Sequence, residues 1–381
     1  VYETKKAVEE LDRYADFGFF KIDPAAYASD GGEYGIPVRR GFNDDVILGH
    51  QRVAALSFLR DLRGFGLLAD VVGSGKTYEA CVVLSELAAR DKLHSILLII
   101  PDQVYNTWKE VLEVQFGLGK GVLYEAGRNL DAGSIEYDHV GDGILRPRRP
   151  MIVKTEDFVT WHEDAQRLLF DVIVVDEAHH LCAEEGRYAK AMKLLSLMIQ
   201  TKKKADSTYC LLLSATPHTG NLEHMFRLWY FIRCSGGNPS DFDEKDDMKR
   251  SEQYRKEKEY YKNHICYGAT TVMEFIKKVK MKVVAEEYSA EFEKYLAREK
   301  VRPENFEKLT EGERFLYVQG FLKDNAEIRK NVLDRVASAY HNGVLRSIMI
   351  RQPNTIAKSK VLDNYLFFPM AEEPGDIWTE G

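Results

Sequence analysis

A glycine-rich segment of the chain has the residue types and spacing of a phosphate-binding loop. Residues 67–77 read LLADVVGSGKT, an apolar strand that runs into a turn ahead of a predicted helix. Glycines such as Gly73 and Gly75 let backbone N–H groups approach phosphate oxygens, and the N-terminus of the following helix adds its positive dipole. The Lys76 ammonium can reach the terminal phosphates, and the Thr77 hydroxyl can ligate Mg²⁺. The segment therefore predicts a nucleoside triphosphate site of the P-loop type.

This loop departs from the general P-loop pattern at one position. The pattern has a glycine six residues before the lysine, where this chain has Asp70. Ser74, between the two glycines, belongs to the same predicted phosphate cradle. A structural strand–turn–helix that carries these letters by chance is the alternative interpretation, and partner motifs elsewhere in the chain decide between the two.

An acidic pair follows a second apolar strand. Residues 171–179 read DVIVVDEAH, which places Asp176 and Glu177 directly after the strand. In a doubly wound sheet the carboxyl ends of the strands are where ligands bind. Asp176 is placed there to hold Mg²⁺ through water, and Glu177 to orient or deprotonate the attacking water, as in-line phosphoryl transfer requires. Beside the P-loop, the pair indicates a nucleotide-hydrolysing site rather than a solvated strand end.

A third apolar strand ends in small hydroxyl residues instead of acids. Residues 211–217 read LLLSATP, so Ser214, Ala215 and Thr216 follow the strand. With the other two motifs in place, this segment is the expected sensor that links the nucleotide site to a nucleic acid. Without them it would be an ordinary turn.

The elements that must position these motifs are short apolar runs that alternate with amphipathic stretches. Buried strands alternating with helices are typical of a parallel sheet covered on both faces, so we expect an α/β fold over residues 46–235. The predicted helix after the P-loop covers residues 78–90. Strands are predicted at residues 66–69, 95–100, 151–154, 172–175 and 209–213.

The chain changes character on either side of this region. Residues 1–45 mix charged, aromatic and glycine residues and are expected to form a leader segment. Residues 236–344 carry long charged helical segments, which predict a separate helical insertion. Thr310 with Glu313 has capping-box spacing, and Ser289 suits a helix start. The charge runs in this part are interpreted as solvated helix faces rather than as an interaction patch.

Composition excludes some classes of protein and leaves others open. The 381 residues are 45% hydrophobic and 30% charged, enough for a large core. No apolar run approaches the roughly 20 residues of a membrane helix, so we expect no membrane partner. The five cysteines form no CxxC pair and are expected to be free thiols in a reducing compartment. A net charge of -7 leaves room for a local basic groove but decides nothing about DNA. No finger-like ligand spacing supports zinc.

Taken together, the motifs resemble those of the superfamily-two helicase-like ATPases, and among them the Swi/Snf-type translocases. The resemblance is carried by LADVVGSGKT with its Asp70, by DEAH at residues 176–179, by SATPHTGN at residues 214–221, and by LGHQ ending at Gln51. It implies a RecA-like P-loop NTPase lobe in which Gln51 reads the adenine ring and Asp70 is a family feature. ATP and Mg²⁺ are the cofactors implied.

Softer matches extend the resemblance to about residue 351. Residues 99–101 with Trp108 resemble the motif that tracks the DNA backbone, although an amphipathic helix more often buries such an aromatic in the core. Lys154, Thr155 and His218 are candidate nucleic-acid contacts, with plain surface as the alternative for the first two. Residues 345–351 resemble the stretch where the chain returns to the first lobe, which makes residues 345–381 that return and the start of a linker.

The function expected from the resemblance is that of one motor lobe of an ATP-dependent double-stranded DNA translocase. Motors of this class hydrolyse ATP between two lobes, and residues 352–381 cannot supply the second, so weak turnover by this chain alone is expected. One alternative is a strand-separating DEAH-type helicase or restriction-type motor. The other is a single-lobe nucleotide-dependent interaction module whose helical insertion binds a protein partner. Because the chain starts at Val1 rather than at a methionine, and no charged stretch followed by an apolar core comes after it, we expect a part of a longer protein without a signal peptide. The wording SATPHTGN favours the bacterial cytoplasm.

Overall fold

The computed structural model describes most of the chain between residues 49 and 350. The described residues are 49–60, 62–70, 73–89, 93–115, 122–128, 130, 135–141, 143–182, 186–203, 208–215, 222–244, 246, 248–339 and 349–350. The predicted leader, Thr216 and His218 lie outside them. No helix among the described residues is long and apolar enough to cross a membrane.

A parallel sheet forms the centre of the molecule. The strands are β1 (Phe65–Leu68), β2 (Ile96–Ile100), β3 (Tyr124–Ala126), β4 (Tyr137–Gly141), β5 (Ile144–Pro147), β6 (Met151–Lys154), β7 (Val172–Val175), β8 (Tyr209–Leu213) and β9 (Met349–Ile350). Seven of them pair in the order β3-β6-β2-β7-β8-β1-β9, and every pair is parallel. The other two, β4 and β5, form an antiparallel hairpin.

Helices cover both faces of the sheet. Successive side chains of a strand point to opposite faces, so Leu67 and Val175 enter one hydrophobic cluster while Leu68 and Val174 enter the other. Both clusters are buried, which explains why the central strands are apolar at every position rather than at alternate ones. The helices of this part are α1 (Gly49–Arg60), α2 (Lys76–Ala89), α3 (Asp102–Glu110), α4 (Thr155–Phe158), α5 (Gly186–Lys203) and α6 (Leu222–Arg233).

A helical region follows α6 and shares its core with one face of the sheet. Phe275, Phe321 and Val332 of this region belong to the same buried cluster as Leu67 and Val175. The apolar interior therefore runs without a break from the sheet into the helices. These are α7 (Glu252–Tyr260), α8 (Val272–Glu287), α9 (Ser289–Arg298), α10 (Pro303–Glu307), α11 (Glu311–Asp324) and α12 (Ala326–Ala339).

The α/β fold class expected from the sequence is confirmed. The strands predicted at residues 151–154, 172–175 and 209–213 have those bounds in the structure, and the helix predicted from residue 78 starts two residues earlier, at Lys76. The capping box of Thr310 and Glu313 is present at the start of α11. The strands β3, β4 and β5 were not predicted, because their short and mixed sequences carry no clear period. The division into four segments, with its three boundaries, stays a prediction.

The end of the described chain lies against the strand that leads into the glycine loop. Strand β9 pairs with β1 through Leu67↔Met349 and Leu68↔Ile350. After the helical region the chain thus comes back to the sheet beside β1.

The first turn of α8 gives a stability prediction. The Glu274 carboxylate accepts hydrogen bonds from the backbone N–H and hydroxyl of Thr270 at 2.9 and 3.0 Å, and it pairs with Lys278 at 2.9 Å. The backbone N–H of Thr270, followed by the Lys278 ammonium, lowers the pKa of Glu274 from 4.5 to about 2. Glu274→Gln is expected to lower the free energy of unfolding at pH 7 by about 1 kcal/mol, a value typical of a helix cap whose charge is screened by solvent.

The expected effect depends on pH because the folded-state pKa is depressed. The stabilisation is fully present above the unfolded value of 4.5 and is lost as the pH falls through about 2. Urea unfolding of both proteins between pH 7 and pH 3 would measure the difference, with the exposed Glu293 of α9 changed to Gln as the control. A Glu274→Gln deficit that does not shrink toward low pH would contradict this account.

Candidate functional site

The three motifs meet at one edge of the sheet. Strands β1, β8 and β7 are neighbours, and their register pairs Leu68 with Leu213 and Val175 with Leu212. Parallel strands in this register end side by side. The glycine loop after β1, the acidic pair after β7 and Ser214 after β8 therefore lie together at the carboxyl edge.

The glycine loop has the backbone conformation that the sequence requires. Gly73 and Gly75 have φ angles of 83° and 88°, a region that residues with a Cβ rarely adopt. A Cβ at position 75 would also collide with the side-chain amide of Gln51. Lys76 is the first residue of α2, and its ammonium donates to the backbone carbonyl of Asp70 at 3.0 Å. The Lys76 ammonium thus reaches back to the residue that starts the loop.

Gln51 lies against the loop from a different element. It is on α1, is 4% exposed, and donates from Nε2 to the backbone carbonyl of Ser74 at 2.9 Å. Helices α1 and α2 pack on each other, and this packing holds the amide in place. The residue predicted to read the adenine ring is therefore beside the predicted phosphate cradle.

A buried acid that no sequence motif predicted lies in the first turn of the helix that follows the loop. Glu79 of α2 is fully buried, and burial, followed by the charge of the neighbouring Asp70 carboxyl, raises its pKa well above the ordinary value. Lys76 acts in the opposite direction. One signal was available: Glu79 stands one turn after Lys76, immediately ahead of the apolar residues that α2 buries.

The Asp176 carboxylate is held at both oxygens. Oδ1 accepts the backbone N–H of Glu177 at 2.9 Å, and Oδ2 accepts the indole N–H of Trp108 at 2.7 Å. Asp176 is 9% exposed, and burial raises its pKa while the Trp108 hydrogen bond opposes that rise. Trp108 itself is fully buried. Its ring therefore belongs to the core, the interpretation that the sequence favoured. The hydrogen bond from its N–H to Asp176 was not predicted, because no local sequence pattern indicates it.

His179 connects Glu177, the second acid of the pair, to the motif after β8. His179 Nδ1 lies 3.2 Å from a Glu177 carboxylate oxygen and 2.9 Å from the Ser214 hydroxyl. The hydrogen bond with His179 lowers the pKa of Glu177, which keeps this carboxylate ionised near neutral pH. Glu177 also adopts a φ of 47°, an uncommon conformation for a residue with a Cβ.

The donor set at this edge suits Mg²⁺. Thr77 supplies a hydroxyl and Asp176 a carboxylate, and Mg²⁺ in nucleotide sites binds one or two such groups together with phosphate oxygens and water. Burial has the largest effect on the pKa of Asp176, and the His179 hydrogen bond has the largest effect on that of Glu177. The charge of Lys76 acts on both in addition and favours the ionised carboxylates. Within the described part of the chain, no group of three or more His, Cys, Asp or Glu side chains could hold a metal ion. A cage built wholly of protein carboxylates and imidazoles is not formed there.

The candidate nucleic-acid contacts differ in accessibility. Lys154 is 41% exposed at its side chain, pairs with Asp102 at 2.5 Å, and lies 5.3 Å from the centre of the Tyr105 ring. Thr155 is 4% exposed, so its side chain is not on the surface. Of these two residues, only Lys154 presents its side chain to solvent. Ala215 follows Ser214 and is 8% exposed.

A parallel sheet with a glycine turn between β1 and α2, and acids after β7, is the architecture of P-loop α/β proteins. Within that class, residues 50–352 match the model of the SNF2-related domain family. The chain belongs to this family of helicase-like ATPases. The resemblance to Swi/Snf-type ATPases drawn from the motifs is therefore confirmed.

Individual relatives cover parts of the chain. An uncharacterized ATP-dependent helicase of Bacillus subtilis (strain 168), YqhH, is 26% identical over 205 residues, 54% of this chain and 32% of the relative. The RNA polymerase-associated protein RapA of Histophilus somni (strain 129Pt) is 30% identical over 186 residues, 48% of this chain and 18% of RapA. The matched region is thus a third or less of these relatives. The Sulfolobus solfataricus SWI2/SNF2 ATPase core in complex with dsDNA has a TM-score of 0.38 at 17% identity, over 75% of this chain and 57% of that one.

Proposed function

We propose that this chain is the ATP-binding lobe of a Swi/Snf-type translocase that couples ATP hydrolysis to movement on double-stranded DNA. The single observation that carries the proposal is the convergence at one sheet edge of the glycine loop, the acidic pair and Ser214, with His179 touching the last two. A nucleotide site alone needs the first two of these features. The link to Ser214 is what a motor needs in addition, because hydrolysis must be coupled to a second event.

Phosphate binding is assigned to the loop and to Lys76. Backbone N–H groups of residues 73–77 and the N-terminus of α2 favour the negative charge of the phosphates. To reach them, the Lys76 ammonium exchanges its bond to the Asp70 carbonyl for phosphate oxygens. Mg²⁺, when bound, would neutralise charge that develops on the transferring phosphoryl group, with Thr77 and Asp176 as its protein ligands.

The attacking water is assigned to Glu177. The hydrogen bond with His179 lowers the pKa of its carboxyl group, so the ionised form can accept a hydrogen bond or a proton from water. His179 also contacts the Ser214 hydroxyl, and a change in the loop after β8 would therefore be felt at Glu177. We propose this contact as the route by which bound DNA stimulates hydrolysis, with Lys154 as an accessible candidate for a phosphate contact.

Full activity is proposed to require a second motor lobe in the parent protein. An arginine contributed across a lobe interface is typically worth about 10³- to 10⁵-fold in rate. The matched region covers 32% of YqhH and 18% of RapA, and these longer relatives are described as an ATP-dependent helicase and an RNA polymerase-associated protein. These descriptions support a motor that acts on DNA. Both relatives are bacterial proteins, which supports a bacterial cell as its setting.

The proposal is tested by ATPase activity with and without blunt double-stranded DNA. The comparison is between this chain and an extended form that also carries a second motor lobe. DNA-stimulated turnover confined to the extended form is the expected result, since the second lobe would supply the arginine. Rapid turnover by this chain alone, at tens per second, would contradict the need for a second lobe.

The same experiment separates the alternatives. Unwinding of a tailed duplex by the extended form would favour a strand-separating helicase, because a translocase moves without separating strands. Binding of ATP by both forms without hydrolysis by either would favour a nucleotide-dependent interaction module.

A further inference from the structure

We infer that Trp108 is a positioning residue for the Mg²⁺-ligating carboxylate, through its indole N–H on Asp176. The inference rests on the proposed function, in which Asp176 holds Mg²⁺ at the nucleotide site. Trp108 is assigned no contact of its own with the nucleotide or with the attacking water. Its effect would pass entirely through the orientation of one carboxylate.

The contact joins two elements that are distant in sequence. Trp108 is on α3, and Asp176 follows β7, 68 positions later in the chain. Its N···O distance of 2.7 Å is in the short range typical of hydrogen bonds to ionised acceptors. Both residues are buried, at 0% and 9% exposure, so little water competes for either partner.

Burial of an indole does not by itself require a carboxylate partner. Trp161 is also buried, and its N–H donates to the backbone carbonyl of Gly127 at 2.9 Å. Trp229 is fully buried, and its indole nitrogen has no hydrogen-bond partner among the residues that the structure describes. The core of this protein therefore accommodates tryptophans with a backbone acceptor and with none. Trp108 differs from both because its acceptor is the carboxylate that is proposed to hold Mg²⁺.

The indole is held too firmly to follow the carboxylate. Trp108 is packed in the cluster that includes Leu98, Val111 and Leu112, and a close-packed side chain has few alternative rotamers. With Oδ2 on this fixed donor and Oδ1 on the backbone of Glu177, the Asp176 carboxylate is restrained at two points. Each oxygen has a second lone pair, so the restraint leaves acceptor capacity for a hydrated cation.

Removal of the N–H is expected to affect Mg²⁺ and not the nucleotide. Partners that orient a metal ligand typically change metal affinity by about 10- to 100-fold when they are lost. In Trp108→Phe a smaller aromatic ring replaces the indole, and Asp176 keeps only the Glu177 restraint. The Mg²⁺ concentration that half-saturates nucleotide binding should rise by about 10-fold or more, while the affinity for nucleotide without Mg²⁺ stays as in the wild type.

The test is a titration of Mg²⁺ in the presence of a fluorescent ADP analogue, with binding to the full chain as the readout. Trp161→Phe is the matched control, because it also removes a buried indole N–H and leaves Asp176 untouched. Thermal unfolding of the three proteins checks that they are folded. If Trp108→Phe does not fold, benzothienylalanine at position 108 keeps the shape of the indole and replaces the N–H by sulfur.

Each outcome has a defined meaning. A shifted Mg²⁺ dependence in Trp108→Phe, absent from Trp161→Phe and from an Asp176→Asn background, supports the inference. An unshifted Mg²⁺ dependence in Trp108→Phe, or an equal shift in Trp161→Phe, overturns it while the proposed function stands. Wild-type protein that binds the analogue without any dependence on Mg²⁺, or does not bind it, overturns the proposed function and the inference with it.

Discussion

Glu177→Gln is expected to reduce ATP turnover by the DNA-stimulated parent protein by about 10²- to 10⁴-fold, the range of a lost general base. Glutamine keeps the size of the side chain but cannot accept a proton from water. ATP binding should remain within a few-fold of the wild type, because the glycine loop and Lys76 are unchanged. Phosphate release and fluorescent-nucleotide titration measure the two quantities separately.

The exposed Glu286 of α8 offers a matched control for this result. Glu286→Gln makes the same chemical change on the helical region and should leave turnover unchanged. If Glu177→Gln retained more than a tenth of wild-type turnover, the assignment of the water-positioning carboxylate would be wrong. The remaining candidate at the same edge would then be Asp176.

Lys76→Ala is expected to weaken ATP binding by about 10- to 150-fold, which corresponds to about 1.5–3 kcal/mol for a hydrogen bond to a charged group. The loss has two parts. The phosphates lose their cation. In addition, the carboxyl groups of Asp70 and Glu79 lose a neighbouring positive charge, which lowers the pKa of Glu79 in the wild type. Isothermal titration calorimetry with a slowly hydrolysed ATP analogue would measure the change.

A lysine far from the loop controls for the general effect of removing a charge. Lys190 of α5 is exposed, and Lys190→Ala should bind the analogue as the wild type does. Equal affinities of Lys76→Ala and Lys190→Ala would show that the phosphates bind elsewhere and would remove the basis of the proposed site.

Much of this site could be predicted from local sequence because it is built at strand ends. The apolar residues of β7 and β8 define where each strand stops, and the residues that follow must then lie at the carboxyl edge. This is why Asp176, Glu177 and Ser214 could be placed together before any coordinates were known. The two glycines of the loop were predictable for a similar reason, since their positive φ angles suit few other residues.

The features that escaped prediction depend on contacts between distant segments. The sequence indicated that the Trp108 ring belongs to the core, but the acceptor of its N–H is 68 residues away, directly after β7. The buried state of Glu79 depends in the same way on the packing of α2 against α1. The hairpin of β4 and β5 has exposed and half-buried residues with no regular alternation, so its sequence gives no strand signal.

The backbone of Glu177 has a consequence for engineering this protein. Its φ of 47° is a conformation that glycine adopts at little cost and that strains a residue with a Cβ, by about 1 kcal/mol. A search for thermostable variants that ranks substitutions by backbone preference would therefore select glycine at position 177. Such a variant would relieve this backbone strain, but it would lose the hydrogen bond to His179 and the carboxylate proposed to orient water. At this position the requirements of folding and of chemistry are opposed, and improvement of one is expected at the expense of the other.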